Sequence, residues 1–119
     1  MNIISPLIQF QQQLRIFHWQ TDSYAKHKAY GTAYDALDDL IDSFIETYMG
    51  INGRSKPNIT FSLELESLQS SSVSNEVIED FLKYLNDLRN FVDQNTDLQN
   101  IVDSISAEVN HLKYRLTLS

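Results

Sequence analysis

The sequence predicts an all-α protein: one four-helix bundle in which helices two and three are joined by a long extended connection. Three observations carry that expectation. Four segments repeat apolar residues at three- and four-residue spacing. Only three glycines and two prolines occur in 119 residues, too few for a turn-dense β-sandwich or barrel. Between the second and third segments the apolar period switches to two. The length fits a single domain over residues 1–119, and an apolar fraction of 42% is enough for one core.

The first segment opens at Ser5-Pro6, a good N-cap followed by the residue best tolerated at the first helical position. Leu7, Phe10, Leu14 and Phe17 then form a stripe that ends near Thr21. The second runs from about Ala25 to Ile51, with Tyr34, Leu37, Ile41, Phe44 and Tyr48 on one face and Gly50 and Gly53 at its end. The third starts at the serine cluster Ser70-Ser71-Ser72, with Ser74 as the expected N-cap. Its core stripe is Ile78, Phe81, Leu82, Leu85, Leu88 and Val92; Val77, Tyr84 and Phe91 widen it toward a second buried surface. The fourth starts near Asn95-Thr96-Asp97 and carries Leu98, Ile101, Ile105, Val109, Leu112 and Leu116. Lys113 and Arg115 suit the negative end of its dipole.

From Asn52 to Ser74, Ile59, Phe61, Leu63 and Leu65 alternate with Thr60, Ser62, Glu64 and Glu66. A single strand has no ladder partner here, so the reading is an extended segment laid on the helices. At ~3.3 Å per residue it can run back along the whole second helix, itself ~40 Å long. Helices two and three are then parallel and the other joins short and antiparallel. One long crossover in a four-helix bundle is the ferritin-like arrangement.

Composition narrows the function classes. No cysteine is present, which excludes disulfides, thiolate metal sites and cysteine nucleophiles. The formal charge of −7 argues against unaided binding to nucleic acid or an anionic membrane. No apolar run approaches the ~20 residues that span a bilayer, and no export signal is legible at the N-terminus. The expected setting is cytoplasmic, or virion-associated for a viral component. No Gly-x-Ser-x-Gly elbow or Gly-rich phosphate loop occurs.

The second helix holds the chemistry. From Ala29 to Gly53 it has no Lys or Arg, yet carries Asp35, Asp38, Asp39, Asp42 and Glu46. Like charges at i,i+4 repel by a few tenths of a kcal/mol each. One reading is a solvated acidic face; the other is a divalent-metal site, since a cation relieves that repulsion. Two imidazoles, His18 and His27, lie just before that helix and in its first turn. Two His with an i,i+4 carboxylate pair make a mixed N/O set suited to iron, manganese or zinc. Glu108-x-x-His111 has the spelling of a di-iron motif, but no second copy exists and the first helix has no acid, so the intra-subunit di-iron bundle is excluded.

His18-Trp19, His27, Asp42 and Glu46 together resemble the ferroxidase signature of Dps proteins, the ferritin-like mini-ferritins. The resemblance spans Leu14 to Gly50. It implies histidines from one subunit and the Asp-x-x-x-Glu carboxylates from a two-fold mate, hence a homo-oligomer that oxidises Fe(II) with dioxygen or peroxide. His-Trp, with Asp97-Leu98-Gln99-Asn100-Ile101, also resembles a family of small ferritin-like proteins of phages and bacteria. The chain departs from Dps in a shorter loop between the histidines, in Gly31 where Dps has an acidic ligand, and in Thr47 after Glu46. A rival expectation follows from those departures: a structural or adaptor bundle, viral in one version, whose metal site is degenerate.

Overall fold

The computed structural model describes residues 1–54 and 61–118. Four helices, α1 (Ile4–Gln20), α2 (Tyr24–Asn52), α3 (Ser71–Phe91) and α4 (Thr96–Leu116), make an all-α bundle, with no strand among the described residues. Each helix packs on two neighbours: α2 on α1 and α4, α3 on α4 and, along a thinner seam, on α1. Leu7, Leu14, Phe17, Leu37, Phe44, Leu85 and Leu112 are fully buried between them. Each such side chain contributes about 1.5–3 kcal/mol. Val102, absent from the expected stripe of the fourth helix, is buried with them.

The helix ends differ from expectation in two places. Ser5 does not cap α1. Ile3 is buried and draws the chain into helix earlier, so Ile3 holds the cap position and the Asn2 side chain accepts from the Ser5 amide at 3.3 Å. Pro6 becomes the third helical residue, still among those whose N–H needs no helical partner. Ser74 does not cap α3 either: Ser70 holds that position, and Ser74 is buried a turn inside the helix. There its hydroxyl shares a 2.7 Å hydrogen bond with the buried Tyr30 hydroxyl of α2. A bundle that buries a tyrosine tip needs such a partner.

Short joins hold the remaining ends. Thr21 bends the chain out of α1, its side chain accepts from the Ser23 amide, and Ser23 in turn caps α2 by accepting from the Lys26 amide at 3.2 Å. Gly53 stops α2 at φ +83, a conformation glycine adopts without penalty, and its N–H bonds Met49.

The segment after residue 60 is extended, and its alternation does not sort into a buried and a solvated face. Leu63 and Leu68 are half-buried; Phe61 and Leu65 are exposed. The alternation at Ile59 and Thr60 lies outside the described residues. What holds the segment is a stripe of glutamines on α1. Gln9 Oε1 accepts from the Glu64 amide at 3.0 Å, and Gln20 Oε1 from the Leu68 amide at 2.6 Å. Gln13 both accepts from the Glu66 amide and donates to the Glu66 carbonyl, each at 2.7 Å. The segment therefore runs in the same direction as α1. The helix side chains stand in for the ladder that a lone extended chain lacks.

The extra width of the α3 stripe is partly absorbed internally. Val77 and Tyr84 are half-buried, and the Tyr84 hydroxyl donates to the Asn2 carbonyl at 2.8 Å, whereas Phe91 stays exposed.

Candidate functional site

The three-residue join between α1 and α2 places His18, in the last turn of one helix, against His27, in the first turn of the next. The rings stack with centroids 3.7 Å apart and 19° between planes. Each ring is tied to the other's backbone: His18 Nδ1 lies 2.7 Å from the His27 carbonyl, and His27 Nδ1 lies 2.8 Å from the His18 carbonyl. A carbonyl only accepts, so both Nδ1 atoms carry the proton and donate. In the neutral ring that leaves Nε2 as the lone-pair atom, a tautomer able to ligate a metal through Nε2. The same bonds have a structural use. His18 is among the last residues of α1, whose carbonyls have no helical donor, and His27 supplies one.

Gly31 explains itself at this point. A Cβ on Gly31 would stand 3.0 Å from His18 Cε1 and 3.1 Å from its Nδ1. The imidazole occupies the space that a side chain at this position would fill. The residue that departs from the Dps pattern is thus the one on which the His18 ring rests.

Around the pair, Arg15 lies between two aromatic faces, 5.5 Å from the Trp19 ring centre and 4.4 Å from that of Tyr34. Tyr34 is half-buried, whereas Trp19 is 64% exposed and Tyr24 74%. Residues of that size left in solvent next to the histidines mark a surface rather than a core.

Asp42 and Glu46 stand exposed one turn apart on α2. The Glu46 carboxyl is raised above its ordinary range, first by a hydrogen bond with Asp42, then by the Asp42 charge, and least by desolvation. The two carboxyl groups crowd one another, a repulsion that a cation could relieve. They follow His27 by 15 and 19 positions, about 22 and 28 Å along a helix. One chain therefore does not bring the four expected ligands together. Among the described residues no group of three or more His, Asp or Glu side chains is placed to hold a metal ion.

The rest of the acidic face is divided. Asp38 accepts from the buried Gln11 amide at 2.9 Å, and Asp35 and Asp39 face solvent. His111 is exposed and 4.0 Å from Glu108, which instead pairs with Arg115 at 3.0 Å, so this spelling makes no site. Two features were not read from the sequence. The Tyr30–Ser74 pair had no signal beyond two polar residues near apolar stripes. The glutamine stripe did: Gln9, Gln13 and Gln20 are offset by four and seven, one face of a helix.

No helix among the described residues is long and apolar enough to cross a membrane. A model of the family of unknown function DUF5856 matches residues 18–116. The chain is 32% identical, over 102 residues, to an uncharacterised 14.6 kDa protein of the mobD–ri intergenic region of Enterobacteria phage T4. That match covers 85% of this chain and 74% of the phage protein. No solved structure matches the chain.

Proposed function

We propose that this chain, which belongs to the DUF5856 family of unknown function, is a ferritin-like, Dps-related bundle that binds a divalent metal between two copies of itself. Iron is the first candidate, with manganese and zinc compatible with the same donors. His18 and His27 of one copy supply nitrogen, and Asp42 and Glu46 of the other supply oxygen. The chemistry such a site supplies is oxidation of Fe(II), with dioxygen or peroxide taking the electrons.

One observation carries the reading. Both imidazoles are pinned through Nδ1 to backbone carbonyls, so both Nε2 atoms are preset as donors without any rearrangement. The carboxylate pair supports it, because Asp42 and Glu46 repel one another until a proton or a metal intervenes. The ferritin-like topology is part of the proposal. The glutamine-held segment running along α1 is taken as the end of one long crossover from α2 to α3, which sets those two helices parallel.

A second reading has its own observation. Gly31 removes the acidic ligand of the Dps pattern, and the space a side chain would need there is filled by His18. On that reading the chain is a structural or adaptor bundle, in a phage or a bacterium, that keeps the fold with a degenerate site.

Metal analysis separates the two. Purified protein is incubated with Fe(II), desalted and assayed for bound metal and for sedimentation, alongside His18→Ala and Glu46→Ala. The metal reading expects an assembly of at least two chains that retains iron, with both variants losing it while keeping their helical circular dichroism. Iron content unchanged in both variants, or absent from the parent, overturns it.

A further inference from the structure

We infer that the outer edge of residues 63–67, beside the groove between α1 and α3, takes a short extended basic segment of a partner protein. This goes beyond the metal reading and is independent of it, since it uses a different face of the bundle.

Backbone parity supplies the first argument. In an extended chain, successive residues turn their N–H and C=O groups to opposite sides. Glu64, Glu66 and Leu68 direct their amides at the glutamines of α1. The amides of Leu63, Leu65 and Ser67 therefore point away from α1, and none of them has a hydrogen-bond partner among the described residues. An extended segment pinned on one edge and open on the other is a template for one more strand.

The groove supplies the second. Glu64, Leu65 and Glu66 form one bank of a depression of about 460 Å³ whose floor is Phe10, Phe81, Val77 and Tyr84. Phe10 and Phe81 stack there with centroids 3.8 Å apart. It opens along the α1–α3 seam, where two packed helices touch least. Leu65 is 43% exposed on its rim, an apolar contact waiting for a neighbour.

Charge selects the occupant. Glu64 and Glu66 on one bank and Asp80 on the other form no ion pair among the described residues. A second copy pairing edge to edge would set these glutamates against their own kind, which is unfavourable. A strand alternating Lys or Arg with branched apolar residues satisfies the open amides, covers the aromatic floor and meets the carboxylates.

Fluorescence anisotropy with the full chain and a labelled Lys-Val alternating hexapeptide tests this. Two further probes are the same peptide N-methylated at alternate amides and a Glu-Val counterpart. Saturable binding of the Lys-Val peptide is expected, weakened about tenfold by N-methylation and absent for Glu-Val. Leu65→Pro removes an outward amide while sparing the amides aimed at α1, and should weaken binding about as much. Lack of saturable binding overturns the inference. So does binding indifferent to N-methylation, which marks mere attraction to an acidic protein. Should Leu65→Pro lose helical circular dichroism, the N-methylated peptide decides alone.

Discussion

Replacing Gly31 with alanine pits two effects of similar size against each other, and the His18 ring decides the sign. Alanine in a helix interior is favoured over glycine by about 1 kcal/mol. Against that, the new Cβ would stand 3.0 Å from His18 Cε1, so the ring must retreat by a few tenths of an ångström. It has nowhere to go: Nδ1 is bonded to the His27 carbonyl at 2.7 Å, and the His27 ring stacks at 3.7 Å. Overpacking of this kind costs about 1–3 kcal/mol. Gly31→Ala should therefore lower stability by about 1 kcal/mol net. In a His18→Ala background the obstruction is gone, and the same change should raise stability by about 1 kcal/mol. The coupling between the two positions is then about 2 kcal/mol. Urea denaturation of the four proteins, with unchanged slopes and shifted midpoints, reads it directly. Stabilisation of the parent by Gly31→Ala, or equal effects in both backgrounds, would show that the ring is not held as described.

Tyr30→Phe leaves the buried Ser74 hydroxyl without a partner and should cost about 1–3 kcal/mol, most of it recovered by adding Ser74→Ala. Burial raises the phenols of Tyr30 and Tyr84, with the Ser74 bond partly offsetting the rise at Tyr30. An unfolded tyrosine releases its proton near pH 10, about where a free phenol does, whereas the folded ones hold theirs longer. Their contribution is thus full below about pH 10 and is lost as pH climbs through the folded values, so urea midpoints should fall above about pH 10 and fall less in Tyr84→Phe. In the metal-free chain, carbon-13 NMR titration should find the Glu46 carboxyl protonated at higher pH than an ordinary glutamate, with Asp42→Ala returning it to the usual range. A Glu46 titration indifferent to Asp42→Ala would mean that the two carboxylates do not interact.

Periodicity made most of the fold legible. The stripes of α1, α2 and α4 lie where three- and four-residue spacing puts them, because burial of Leu14, Leu37 and Ile105 dominates the local energetics. Helix caps were less legible. Ser5 and Ser74 have suitable chemistry for caps, but packing of Ile3 and the demand of the Tyr30 hydroxyl moved the boundaries. The period of two after residue 60 announced an extended chain and not its burial, since polar glutamines rather than an apolar face hold it. At the candidate site, the acidic run of the second helix, the two histidines beside it and the likeness to the Dps signature pick out His18, His27, Asp42 and Glu46. The reciprocal ring-to-carbonyl bonds depend on a three-residue turn and stacked rings, which spacing alone does not specify. Gly31 reads from the sequence as a departure from the Dps ligand pattern; in the fold it is the seat of the His18 ring.

The claim that one copy supplies imidazoles and another supplies carboxylates is tested most directly by complementation. A chain carrying His18→Ala and His27→Ala is co-expressed with a differently tagged chain carrying Asp42→Ala and Glu46→Ala, and the doubly tagged complex is assayed for iron. Each variant alone should retain none. In a two-fold pair of the two, one of the two shared sites keeps all four side chains, so the mixed complex should hold about half the metal of the parent. A mixed complex as empty as its components, or metal retained by either variant on its own, would contradict a site built across two chains.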